Sequence, residues 1–282
     1  MRSRVWCETL LRDELVRAAP VLGPLLARHH IELLLAVRPW ELAGLPAVVG
    51  ELQAAGVVVA VWPMLADADG RWASATTHAR FIALADEVLA AAPTADELVI
   101  DLEPPIAQLA RWKAGRPARG HSPYPYPVAA AALEAAVTRW GASRRVTTAI
   151  LPFLALELGG PWLQRALGTP VSPLAVDRHS LMAYTSLFEG WSRGLVGRRR
   201  AEWLLAGCAR LARRRFGDRA ALSLGVVGPG AFGDEPGYRG PGELARDVAI
   251  ARAAGIDELS IFELGGILRR PPIEPWLEAM RG

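Results

Sequence analysis

The chain has 282 residues, 51% hydrophobic and 22% charged, with a mean hydropathy of +0.19 and a formal net charge of +3. That composition excludes a disordered or highly charged chain and provides apolar material for a large core. The length is near the upper end for one domain and suits a single α/β barrel of roughly 250 residues.

Short apolar runs alternate with longer helical patterns from end to end. Strands are predicted at 4–8, 32–37, 57–62, 98–103, 146–151, 179–184, 221–227 and 258–263. Helices are predicted between them at 12–27, 43–54, 75–91, 128–140, 154–167, 198–216 and 241–254, with a short one at 273–280. Gly56 and Gly255 follow two of the helices and precede strands, as helix C-caps do. Strands that alternate with helices imply right-handed βαβ units and a parallel sheet. About eight such units in this length indicate one (β/α)8 barrel, a TIM barrel, over 1–282. A doubly wound open sheet is the alternative, but Glu8-Thr9-Leu10-Leu11 stands where its Gly-x-Gly-x-x-Gly turn belongs.

The remaining composition narrows the setting. Cys7 and Cys208 are too few and too far apart for a disulfide framework. Lys113 is the only lysine among many arginines, which reads as a high-GC, bacterial-type composition. The arginines from Arg198 to Arg215 fall on a helical pattern, either a solvated face or a surface for an acidic partner. No run approaches the ~18 apolar residues of a membrane span, and no signal-peptide pattern opens the chain. The expectation is a soluble, cytoplasmic protein with reduced thiols, partnered by neither nucleic acid nor membrane; the oligomeric state stays open.

In such a barrel, chemistry gathers where strands end at their C-terminal side. The fourth predicted strand, with Val99, Asp101 and Glu103 on one face and Leu98, Ile100 and Leu102 on the other, carries two carboxylates into Pro104-Pro105. Glu8 ends the first strand and Glu263 the eighth. Trp62, Tyr184, Arg38 and Trp40 stand at or just past other strand ends. Like charges at close range raise at least one pKa, so one acid of such a cluster stays protonated near neutrality as a general acid. That chemistry suits cleavage of a glycosidic bond, with aromatic rings stacked on sugar faces. The bland reading of each residue stands beside this: tryptophans pack cores, and a strand-end carboxylate caps a helix or pairs with a cation.

Asp96-Glu97-Leu98-Val99-Ile100-Asp101-Leu102-Glu103 resembles the Asp-x-x-Asp-x-Asp-x-Glu motif of chitinase-like glycoside hydrolases, which are (β/α)8 barrels. The resemblance implies that Glu103 is the proton donor and that Asp101 orients the substrate N-acetyl group or tunes Glu103. Met182-Ala183-Tyr184 looks like the family's Met-x-Tyr, which implies that Tyr184 helps bind the reacting sugar. The chain departs from the pattern at Val99, where the family has an aspartate, and at Phe262-Glu263, where a tryptophan is usual. Leu102-Glu103-Pro104 also looks like the Asn-Glu-Pro acid/base motif of another barrel glycosidase group, but Val226-Val227-Gly228 replaces its strand-seven glutamate.

Two long loops are expected to frame the rim. The loop 112–127, with Arg116, Arg119, His121, Tyr124 and Tyr126, reads as a lid or substrate wall, or as a stiff surface loop. The loop 228–240, with Gly265-Gly266 after the last strand, has the composition of a phosphate cradle. The leading expectation is a glycosidase-like hydrolase acting on a small or oligosaccharide substrate without a cofactor. Glu103 and Asp101 lead its catalytic set, followed by Glu8 and Glu263. Tyr184, Trp62, Arg38, Trp40, Tyr124 and Tyr126 form its substrate contacts. Two alternatives accompany it. One is an isomerase or lyase acting on a phosphorylated or metal-chelated sugar-like metabolite, with Mg²⁺ or Mn²⁺ on Glu8, Asp101, Glu103 and Glu263. The other is a barrel that binds carbohydrate without cutting it.

Overall fold

The computed structural model describes residues 1–10, 12–116, 125–157, 160–192 and 194–281. Its strands are β1 (Arg2–Cys7), β2 (Ile31–Val37), β3 (Val59–Pro63), β4 (Glu97–Leu102), β5 (Arg145–Ile150), β6 (Arg178–Met182), β7 (Ala220–Gly225) and β8 (Glu258–Phe262). Each pairs in parallel with the next, and β8 pairs with β1, so the sheet closes in sequence order. The outer layer holds α1 (Arg12–Arg28), α2 (Leu45–Ala54), α3 (His78–Ala91), α4 (Ile106–Lys113), α5 (Tyr126–Gly141) and α6 (Trp162–Leu167). It continues with α7 (Thr185–Trp191), α8 (Arg198–Phe216), α9 (Pro241–Ala253), α10 (Leu264–Leu268) and α11 (Glu274–Ala279). The fold is the expected (β/α)8 barrel. No helix among the described residues is long and apolar enough to cross a membrane.

The differences from expectation are local. The predicted helix 154–167 is a 3₁₀ turn at Pro152–Leu156 and the short α6, because Gly160 has φ +121° and Pro161 has no N–H to continue a ladder. The helices α4, α7 and α10 were not expected. They are 5 to 8 residues long, too short for a 3.6-residue period to register.

Strand alternation sorts the core into two. Outward residues such as Val5, Leu98, Ile100, Leu102 and Ile261 pack between the sheet and the helices. Inward residues such as Trp6, Leu34, Ala60, Trp62, Val99 and Phe262 fill the barrel. The N-terminal end of the barrel is closed by charge. Arg4, 1% exposed, donates to Glu97 at 2.6 Å and to Glu258 at 2.9 Å. Arg2 adds contacts to Glu32, Glu97 and Glu258. Burial alone would raise the Glu97 pKa, but Arg4, Thr147, Arg2 and Arg145 together hold it below the ordinary glutamate value.

The arginine-rich α8 is not simply a solvated face. Arg198 bonds Asp247, which is fully buried, and Arg215 bonds Glu157. The exposed remainder carries no observed partner chemistry.

The Arg4 cluster makes a stability prediction. Arg4→Ala leaves two buried carboxylates without their main cation, and is expected to cost about 3–5 kcal/mol in urea unfolding at pH 7. Because the Glu97 pKa is depressed in the folded protein, its contribution is present above the ordinary glutamate range and lost as pH falls through the folded value. The gap between wild type and Arg4→Ala therefore narrows on acidification.

Candidate active site

The C-terminal mouth of the barrel opens into a cavity of about 790 Å³. At its floor stand Asp101 and Glu103, 4% and 8% exposed. Asp101 is the penultimate residue of β4, inward like Val99 two residues before it, and Glu103 follows on the same face. Pro104 and Pro105 end the strand because neither has an N–H for the ladder. Trp6 and Trp62 pack edge to face beside the pair, their ring centroids 4.7 Å apart at 71°. Tyr184, just past β6, and Phe262, the last residue of β8, enclose the other side, with centroids 6.0 Å apart.

One cation reaches this floor from an unexpected place. Above their first two pairs, β3 and β4 separate, and the loop after β3 takes over through Ala73, whose N–H donates to the Asp101 carbonyl at 2.9 Å. Just before it the chain turns through Gly70 and Arg71, with φ of +102° and +70°. A left-handed arginine costs roughly 1–2 kcal/mol, which its contacts must offset. Its guanidinium, 4% exposed as a residue, bonds Glu8 and lies 2.7 Å from Asp67 Oδ1. Arg38 braces the same cluster, 3.6 Å from Glu8 and 3.3 Å from Asp67.

The electrostatics follow from burial. The Asp101 carboxyl is raised well above its ordinary value by burial first and then by Glu103, with Arg71 opposing. Burial pushes Glu103 up to about 7, with Arg71 and a side-chain hydrogen bond with Asp101 opposing. The buried pair thus keeps protons that exposed carboxylates have lost. The Tyr184 phenol is also raised well above its ordinary value, by burial and then by Asp101 and Glu103, so its hydroxyl stays neutral facing them.

The residues expected from sequence divide. Asp101, Glu103, Trp62 and Tyr184 come together around the cavity, and Glu8 joins its wall with its carboxylate engaged by Arg71 and Arg38. Glu263 does not join them. It is fully buried as the N-cap of α10, accepting from Gly266 N at 2.7 Å, Gly265 N at 3.1 Å and the Thr9 hydroxyl at 2.8 Å. Gly265 and Gly266 are not free to complete the expected phosphate cradle, because their backbone N–H groups already serve the chain's own carboxylate. The glycines there serve close packing instead, since a Cβ on Gly266 would meet Gly228 N at 2.5 Å.

Arg38 lies behind Glu8 rather than on the cavity wall, and Trp40 is 67% exposed on the 3₁₀ turn Pro39–Gly44. Tyr126 opens α5 away from the cavity, its hydroxyl 3.4 Å from Gln164 and its pKa pushed up to about 12 by burial first and then Glu157. Tyr124, Arg119 and His121 lie outside the described residues. With Glu263 turned away, the four expected carboxylates do not meet. Among the described residues no group of three or more His, Cys, Asp or Glu side chains is disposed to hold a metal ion.

Sequence reasoning missed Arg71 and Trp191; Trp112, Lys113 and Phe232, which complete the outer wall, lie in the two loops expected at the rim but were not singled out. The Lys113 ammonium sits 4.7 Å from the Phe232 ring centroid and 5.1 Å from that of Trp191, and pairs with Asp234. These residues come from loops and short helices that carry no period. Only Asp69-Gly70-Arg71-Trp72, a turn signal followed by a charged and an aromatic residue past a strand end, was a usable hint.

The barrel superposes on solved barrels of more than one activity. The glycoside hydrolase domain of PgaB (BpsB) from Bordetella bronchiseptica superposes with a TM-score of 0.61 at 13% identity, over 99% of each chain. The catalytic domain of a family GH18 chitinase from the fern Peteris ryukyuensis gives 0.58 at 12%, over 100% of this chain and 98% of that one. A D-allulose 3-epimerase from Methylomonas sp. gives 0.51 at 12%, over 93% and 84%. At such identities the likeness is one of fold. No protein-family model matches the sequence, and no curated protein matches it.

The raised Glu103 pKa has a measurable consequence. A carboxyl whose folded pKa exceeds its unfolded value adds stability below the unfolded pKa, and loses it as pH rises through the folded one, here about 7. Glu103→Gln is expected to melt within about 1 kcal/mol of wild type at pH 5 and to be more stable by about 2–3 kcal/mol at pH 9. Equal shifts at both pH values would mean that Glu103 carries its charge at no cost.

Proposed function

We propose that the protein is a glycoside hydrolase-like enzyme that binds a carbohydrate at the mouth of the barrel, with Glu103 as general acid and Asp101 as its partner. The observation that carries this reading is the buried Asp101–Glu103 pair facing an aromatic-walled cavity at the C-terminal ends of the strands. A carboxyl with a pKa near neutrality is suited to hand over its proton and take one back in the same turnover. The Glu103 proton goes to the bridging oxygen as its bond to the anomeric carbon breaks. The aglycone leaves as an alcohol. The hydroxyl of a water then ends on the anomeric carbon, and the water's other proton restores Glu103. A charge on Asp101 raises the cost of one on Glu103, and Tyr184 faces the same carboxyls as a neutral donor. Glu8 acts at one remove, by fixing Arg71, whose charge keeps the pair from rising further.

Measurements of turnover, pH dependence, metal dependence and sugar binding test this reading. Glu103→Gln is expected to lower kcat on an aryl glycoside substrate by 10²-fold or more, the usual scale of general acid catalysis. Activity kept within tenfold would remove Glu103 from the role. The alkaline limb of kcat/KM should fall as pH rises through about 7. Since Arg71 lowers the Glu103 pKa, Arg71→Met should move that limb to higher pH. Activity lost in EDTA and restored by Mg²⁺ or Mn²⁺ would instead favour the metal-dependent isomerase or lyase alternative. Sugar binding without turnover in the wild type would leave the carbohydrate-binding alternative.

A further inference from the structure

Hydrogen-bonding capacity is unevenly spread over the cavity. On the floor, Trp62 Nε1 and Asp101 Oδ1 are buried and have no hydrogen-bond partner among the described residues. Both residues line the cavity together with Glu103 and Tyr184, so the unmet hydrogen-bonding capacity is gathered on the floor. The outer wall differs. Its charged and hydroxyl side chains are already engaged within the protein. Lys113 pairs with Asp234, and Glu235 accepts from Gly230 N at 2.9 Å and Phe232 N at 2.8 Å. Ser192 donates to the Glu189 carbonyl at 2.9 Å and accepts from Val196 N at 2.9 Å.

What this wall leaves for a ligand is apolar: Phe153 after β5, Leu187 and Trp191 on α7, and Phe232 after β7. The strip reaches solvent at Phe153 and Trp191, 38% and 43% exposed. A second and third sugar ring would stack a carbon face on these rings but leave edge hydroxyls with few side-chain partners along the strip. An apolar group laid there gains contact at every carbon. A cavity of about 790 Å³ is also large for one ring, and falls in the range of sites that enclose a drug-sized molecule.

We propose that the cavity takes an amphiphilic glycoside: one sugar ring on the floor, joined to an alkyl or aryl aglycone that runs along Phe153, Trp191 and Phe232. This rests on the glycosidase-like reading and specifies its substrate class. The leaving group then exits along the apolar strip, and specificity resides in the aglycone more than in a chain of sugars.

The test is titration calorimetry on wild type and on Glu103→Gln, which blocks turnover, with every ligand kept below its micelle-forming concentration. The probes are hexyl β-D-glucopyranoside and hexyl N-acetyl-β-D-glucosaminide, set against the two free sugars, their β-1,4-linked trimers and 1-hexanol. Each buried methylene adds up to about fourfold in affinity. At least one hexyl glycoside is therefore expected to bind tenfold or more tightly than its free sugar and than its trimer. Phe153→Ser and Phe232→Ala should lower that affinity at least fivefold. Phe153 is exposed enough for its variant to fold even if Phe232→Ala does not. A trimer that binds more tightly than the hexyl glycoside overturns the amphiphile proposal and keeps the carbohydrate reading. Hexanol binding as well as the hexyl glycosides overturns the amphiphile proposal, since the sugar would then contribute nothing, and leaves the glycosidase reading to turnover. Absence of binding by every probe likewise overturns the proposal, while turnover of an aryl glycoside would still decide the glycosidase reading.

Discussion

A closed barrel of eight parallel strands leaves each strand residue two directions, into a confined interior or out towards the helices. That constraint governs everything at the site. On β4 it sends Leu98, Ile100 and Leu102 outward and carries Val99, Asp101 and Glu103 inward, so two carboxylates leave water together. Val99 offers them no polar atom from below, and the flanking Trp6, Trp62 and Phe262 are apolar bodies. The pair's raised pKa values are the direct cost of that placement, and among the described residues Arg71 is the cation that reduces it.

The charges of the molecule form separate clusters with separate tasks. At the N-terminal end, Arg4 and Arg2 neutralise Glu97 and Glu258 and close the barrel from below. At the rim, Glu8, Asp67 and Arg38 hold Arg71 in its left-handed turn. On the flank, Asp247 gathers Arg198, Thr185 and the Tyr238 hydroxyl, the last at 2.6 Å. That third cluster fixes the start of α7, next to Tyr184, to the loop after β7. Two of the three therefore act on the loops that carry the site, which suits a cavity whose walls are made of short elements.

The site was legible wherever strand alternation could be applied, and misread where it was not applied. Asp101, Glu103, Trp62 and Tyr184 were found from strand ends. Glu263 was placed with them because it also ends a strand, yet Glu258, Ser260 and Phe262 share the inward face, so alternation turns Glu263 outward to cap α10. Arg38 and Trp40 stand past the end of β2, where the chain turns into a 3₁₀ helix and the period of two no longer holds. Arg71 left only a turn signal, Trp191 no signal, and Phe232 only its place in a loop expected at the rim. They sit in a turn, at the end of a seven-residue helix and in a loop, where no repeating pattern links sequence to direction.

The sequence by itself determined the architecture, the eight strands and the strand end that bears the acids. These follow from local periodicity and from the inability of Pro104 and Pro105 to extend a strand, both properties of neighbouring residues. Only the tertiary structure decided which carboxylates meet, which cation stands over them and what lines the rest of the cavity. Glu8, Arg71 and Asp101 come from separate parts of the chain, and burial raises a pKa only once distant segments have closed around it. Those effects depend on distance through space, which the order of residues does not record.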